Sequence, residues 1–209
     1  MKNKITIAAL VLCAGIASGC PAARPVQYYQ LNVPNETAPA ANSNPFPVTL
    51  LLGPITASHL YREDPIVYST GGEGMGTYQY HRWAEAPTEM IQSVLRQAFR
   101  ASGEYRGVYA MRSTARGDYM IRGNLSDFKE VSGSAVVARL TLELEMRDMK
   151  SGTVVWTHFY SHDEPVGAKD VSAVVDALDK NVQRAAAEFK SSLDEYFAAH
   201  PPAAAPAPK

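Results

Sequence analysis

Ala138-Arg139-Leu140-Thr141-Leu142-Glu143-Leu144-Glu145-Met146-Arg147 alternates apolar and polar residues without a break. Side chains of a strand point alternately to its two faces, so this stretch predicts an antiparallel strand with one buried and one wet face. Its neighbours extend the reading in both directions. Upstream, Ser132-Gly133-Ser134 reads as a hairpin tip after an extended Tyr119 to Glu130. Downstream, Lys150-Ser151-Gly152 turns the chain into Thr153–Ser161, which carries Val154, Val155, Trp156, Phe159 and Tyr160. Residues 119–161 therefore form an expected three-stranded meander with short turns.

Two helices are expected around it. Asp170 is placed to cap the second, in which Val171, Val175, Leu178, Val182, Ala185, Phe189 and Leu193 recur at spacings of three and four. Carried to about Ala199, that helix would be ~45 Å long at ~1.5 Å per residue. The first helix opens near Pro87, whose missing N–H costs nothing in a first turn. Ile91, Val94, Leu95, Ala98 and Phe99 make its apolar stripe, Arg96 and Arg100 point away, and Gly103 is placed to end it. Stripes this regular are core faces packed on the chain's own sheet more often than partner faces.

The remaining strands are shorter. Gln27–Val33 alternates around Tyr29, Leu31 and Val33, and Val48–Leu52 is an apolar run expected to stop at Gly53-Pro54. Ile66–Ser69 and Thr77–Arg82 read as hairpin arms around Gly71-Gly72-Glu73-Gly74-Met75-Gly76, and Val108–Met111 as one more strand. Residues 34–47 are expected to be irregular, and Pro201–Lys209 to be a disordered Pro/Ala tail. The expected fold is α+β: a mixed, largely antiparallel sheet with two main helices packed on one face, as a single domain over residues 27–199.

The N-terminal segment sets the compartment. Lys2 and Lys4 precede an apolar stretch from Ile5 to Ile16, followed by Ala17-Ser18-Gly19-Cys20. A basic start, an apolar middle and a small-residue exit make a secretory signal, and the middle is too short to span ~30 Å of hydrocarbon. A plain signal needs no thiol after the cut. A bacterial lipoprotein signal does, because that thiol accepts a diacylglycerol and the freed amine is then acylated. Residues 1–19 are thus expected to be a lipoprotein signal peptide, Cys20 the lipidated mature terminus, and residues 20–26 a tether.

About 190 residues would then remain, enough for one domain with its own core. Losing Lys2 and Lys4 takes the formal net charge from −1 to about −3. No basic surplus remains to neutralise phosphates, which argues against nucleic-acid binding. The only other cysteine, Cys13, leaves with the signal, so no internal disulfide or thiolate metal site is available.

Motifs for chemistry are weak. The chain has no Gly-x-Ser-x-Gly elbow and no His-Glu-x-x-His. The Gly-rich 71–76 segment lacks the Gly-Lys-Ser/Thr of a phosphate cradle and fits a hairpin tip. His158 and His162 share a strand face, but no third and fourth ligand accompany them. Asp163-Glu164 could be acid/base carboxylates, or a solvated turn before Pro165, the better fit. The eleven tyrosines suit a sheet as well as a carbohydrate or lipid platform. No catalytic, cofactor-binding or metal-binding residue is expected.

Several stretches in order carry a family resemblance. They are the Cys20 lipobox, Tyr28-Tyr29-Gln30-Leu31, Val48–Pro54, and Leu60-Tyr61-Arg62 ahead of Pro65-Ile66-Val67. Arg82-Trp83-Ala84-Glu85 leads into a helix, Asp118–Phe128 is extended, and Asp148–Trp156 precedes a long terminal helix. The order resembles the ABC-type transport auxiliary lipoproteins, the family of the paraquat-inducible protein C lipoprotein, over roughly residues 20–199. The departures are the Gly-rich 71–76 insertion and the Pro/Ala tail. The resemblance implies a non-enzymatic periplasmic accessory of an ABC permease, its ATPase and a mammalian-cell-entry (MCE) domain protein that together move lipids or hydrophobic compounds. It implies docking at the outer membrane, and it leaves room for a homo-oligomeric ring. Pro21, in place of aspartate after Cys20, favours the outer membrane. An alternative is a lipoprotein that binds and activates a periplasmic cell-wall enzyme.

Overall fold

A computed structural model describes residues 24–33, 42, 44–70 and 74–202. The expected signal peptide, Cys20, most of residues 34–43, residues 71–73 and most of the expected tail lie outside the described residues. The strands are β1 (Gln27–Tyr29), β2 (Phe46–Ala57), β3 (Pro65–Ser69), β4 (Met75–Trp83), β5 (Tyr105–Ala110), β6 (Tyr119–Ser132), β7 (Val136–Asp148) and β8 (Val154–Pro165). The helices are α1 (Pro87–Ala101) and α2 (Val171–Ala199), with a short 3-10 turn at His59–Tyr61.

β6 is the hub of one eight-stranded sheet. Along one edge it pairs antiparallel with β7 from Tyr119↔Asp148 to Ser132↔Val136, and β7 pairs antiparallel with β8. This is the meander that alternation predicts. β6's other edge is shared. Its first half pairs parallel with β2, which pairs parallel with β5, and its last residues pair parallel with β3. β3 and β4 form the expected antiparallel hairpin, and β1 adds to β4 in parallel.

Both helices cover one face. α2 packs on β7 and β8, and α1 packs on β2, β5 and α2. The apolar half of the opening stretch supplies the floor: Ala138, Leu140, Leu142, Leu144 and Met146 are all buried. Ile91, Val94, Leu95 and Phe99 of α1, and Leu178, Val182, Ala185, Phe189 and Leu193 of α2, close over it. Asp170 accepts from the Ala173 N–H at 2.8 Å and caps α2, and Gly103 after α1 takes a φ of 69°.

Four details differ from the sequence reading. β2 runs through Gly53-Pro54 instead of stopping there. A register shift between Leu52 and Ile55 absorbs the proline where β2 loses β5 and continues along β6 alone. β2 also begins at Phe46, inside the stretch expected to be irregular. β1 ends at Tyr29 because its neighbour ends at Trp83, after which Leu31 turns under α2. β8 carries on to Pro165, so Asp163 and Glu164 are strand residues and not a solvated turn.

Candidate functional site

The described chain enters the fold at β1. Cys20 lies outside the described residues, which begin four positions later at Arg24. β1 is fixed by contacts far away in sequence. Tyr29 Oη is 3.0 Å from His81 Nδ1, and the Tyr29 carbonyl accepts from the Ala84 N–H at 2.6 Å. The Asn32 N–H donates to Asp179 Oδ1 at 2.8 Å, and Gln183 Nε2 donates to the Asn32 carbonyl at 2.7 Å. Leu31 between them is buried. β1 therefore belongs to the folded domain. Its outward side is different: Arg24 is exposed, and so are Val26 (41%) and Tyr28 (64%).

Register fixes the direction of entry. Gln27 aligns with His81 and Tyr29 with Trp83, in parallel. Residues before Gln27 therefore head back along β4 toward its start at Met75. The β6–β7 tip lies at that same end, because Tyr68 and Ser69 align with Glu130 and Val131. So does the start of α2, since Val137 aligns with Pro165. The Asp170 carboxylate is near enough, with burial the larger cause, to raise the Tyr29 phenol.

A cleft of about 350 Å³ opens at this end between Tyr78, Glu130, Lys169 and Val174. Glu130 is only 7% exposed and accepts from the hydroxyls of Tyr78, at 2.6 Å, and Ser132. Burial first, then the carboxylate, push the Tyr78 phenol well above its ordinary range. These groups satisfy one another. A larger cleft of about 650 Å³ lies where β2 leaves β5, beside the first turns of α1. Gln92 Nε2 donates to the Gly53 carbonyl there at 2.6 Å, and Glu85, Glu89, Arg96 and Arg112 surround the opening.

The residues weighed for chemistry do not converge. His158 and His162 share the α2 face, as their even spacing requires, but each has its own carboxylate. His158 Nε2 is 2.8 Å from Glu188 and stacks on Trp156, while His162 Nε2 is 3.4 Å from Glu164. No cluster of three or more potential metal ligands occurs among the described residues. Asp163 and Glu164 point to opposite sides of β8. Asp163 takes a two-pronged contact from Arg139 at 2.7 Å, which holds its carboxyl below the usual range, and Glu164 is 3.1 Å from Arg184. The tyrosines are scattered; Tyr68, Tyr78 and His81 cluster beside Tyr29. No described helix is long and apolar enough to cross a membrane.

The sequence profile of the ABC-type transport auxiliary lipoprotein component matches residues 29–189. The chain belongs to that family. The match runs from Tyr29, the last residue of β1, to Phe189 in α2, so it takes in β2 to β8, α1 and most of α2. No curated protein matches the sequence. Among solved structures, protein XCC0632 from Xanthomonas campestris is similar in fold, with a TM-score of 0.70 at 19% identity, covering 83% of this chain and 98% of that one. An uncharacterized protein aligns at a TM-score of 0.65 and 12% identity, covering 81% and 99%. These likenesses concern the fold of this transport auxiliary lipoprotein.

Two features escaped the sequence reading. The exposure of Val26 and Tyr28 depends on β1 being an edge strand, which alternation alone does not reveal. Asn181, fully buried on α2, sits beside Val182 in the stripe and looks like a polar interruption. Its fixed position in an otherwise apolar helix face was the available signal.

Proposed function

We propose that this chain is a lipid-anchored, non-enzymatic auxiliary of an ABC-type transporter of lipids or hydrophobic compounds, docked at the periplasmic face of the outer membrane. The family match over residues 29–189 carries this reading. The Ala17-Ser18-Gly19-Cys20 lipobox supports the anchor, and Pro21 supports the outer membrane. The partners are the ABC permease and ATPase with an MCE-domain protein, and the domain acts by holding them near the bilayer. Each buried CH₂ contributes ~0.8 kcal/mol; one acyl chain binds marginally and two or more bind firmly. An acylated Cys20 confines the domain to a surface, which raises its effective concentration toward any partner within tether reach. Ring assembly of several copies belongs to the same proposal and is read from the mass of detergent-solubilised protein.

Cys20→Ala tests it. The variant is expected to be released as a folded soluble protein that no longer supports the transporter, read as loss of the envelope's barrier to hydrophobic compounds. Full barrier function with the soluble form would contradict the proposal. In-cell crosslinking to an MCE-domain protein supports the reading, and crosslinking to a cell-wall synthase instead would replace it.

A further inference from the structure

The short tether raises the question of what the domain does at the surface it is tied to. Arg24 stands four positions after Cys20 and Tyr28 eight. At ~3.3–3.6 Å per residue, Arg24 stays within ~14 Å of the acylated residue and Tyr28 within ~29 Å. Pro25 stiffens the end of this spacer nearest β1. Two arrangements are open to it. Stretched upright, it would hold Val26 and Tyr28 in water above the headgroups. Lying along the surface, it would bring both into the headgroup layer. The side chains decide between them. Val26 is 41% and Tyr28 64% exposed, two residues apart, with Arg24 a further two residues back. An aliphatic residue, a tyrosine and an arginine suit a membrane interface: the phenol keeps its polar tip in water, and the arginine reaches phosphates while its stem lies on apolar surface. Tyr28 is also not occupied within the fold. The internal side-chain contacts here go through Gln27 and Tyr29 of β1 and through Leu31 just after it. A three-residue strand is too short to template a further strand from another protein, so pairing does not account for the exposed edge.

We infer that Val26 and Tyr28, with Arg24, form a lipid-contacting edge that seats the domain on the bilayer holding Cys20. The first strand of the sheet, and not a freely swinging tether, meets the membrane. This rests on the anchoring proposed above. It has a consequence for geometry: β1 is paired with β4, and Asn32 just after it is bonded to α2, so a seated β1 fixes the orientation of the whole sheet relative to the bilayer.

Spin labels test this in the full lipoprotein. After signal removal and acylation of Cys20 no other thiol remains, so Tyr28→Cys supplies a single labelling site. Met149→Cys, exposed in the β7–β8 turn at the opposite end of the strands, supplies the reference. Each protein is reconstituted in phosphatidylethanolamine/phosphatidylglycerol vesicles, and access of the label to oxygen and to a water-soluble nickel chelate is compared. The expected result is an oxygen-to-nickel ratio several-fold higher at 28 than at 149. Equal ratios would overturn the inference, and so would exclusion of both reagents at 28, which would mean a protein cover. The mass of the same preparation separates the two claims. Acylated Cys20 with an aqueous label at 28 sinks the seated edge alone, whereas an unacylated Cys20 sinks the anchor and this inference with it.

Discussion

Asn181 shows how one polar residue can belong in an apolar stripe. It is fully buried on α2. Its Nδ2 donates to the carbonyls of Ala138 and His162 at 3.0 and 2.8 Å, and its Oδ1 accepts from the Tyr160 hydroxyl at 2.6 Å. The helix is thus stitched to both β7 and β8 at one point. Asn181→Leu would satisfy the stripe but strand those groups, and urea denaturation should show a loss of about 2–4 kcal/mol. Asp163 offers a pH test on the opposite side of β8. Arg139 holds its folded carboxyl below the usual range, so its contribution to stability is present above the unfolded value, near ~3.9, and is lost as pH falls through the folded one. The pair is partly exposed, so Asp163→Asn should cost only about 0.5–1 kcal/mol at pH 7. Urea melts should show that gap closing in acid, and a gap independent of pH would rule out the ion pair as its source. Neither role was legible beforehand. A sequence shows that Asn181 and Asp163 are polar, and only the fold brings them their partners.

Elements were legible where a period is long enough to average out exceptions. The alternation in β7 and the three-and-four spacing in α1 and α2 recur over many residues, and each gave the right element on the right face. Sheet order was not legible. β2 lies between β5 and β6, and β3 meets only the end of β6; these parallel pairings join distant segments and leave no mark on local periodicity. The run Leu50-Leu51-Leu52 is a partial sign, because a strand buried on both faces loses its alternation. Leu51 is covered on the side away from the helices by the chain at Gly117, where a Cβ would collide with the Leu51 side chain. Gly53-Pro54 misled because a proline breaks a strand only where its N–H is needed. At the start of α2, local and tertiary signals agree. Removing the cap with Asp170→Ala should cost about 1 kcal/mol, read as a shifted urea midpoint with an unchanged slope.

At the scale of the whole molecule, two helices cover one face of a single eight-stranded sheet. The described chain enters along β4, beside the start of α2, and the family match spans β2 to β8, α1 and most of α2. The family was legible from a different source than the fold. Periodicity gave the layers, whereas the lipobox and the order of several weak motifs gave the family. The contact surface for transport partners left no signature in the chain, because such surfaces need only be complementary, and complementarity requires the partner. The anchor is the part that physical chemistry makes testable on this protein alone. Mass spectrometry of the N-terminal peptide from membrane-purified protein tests it most directly. The account predicts a chain starting at Cys20 that carries a diacylglyceryl thioether and an acylated amine; an unmodified amine, or a start at any other residue, would contradict it.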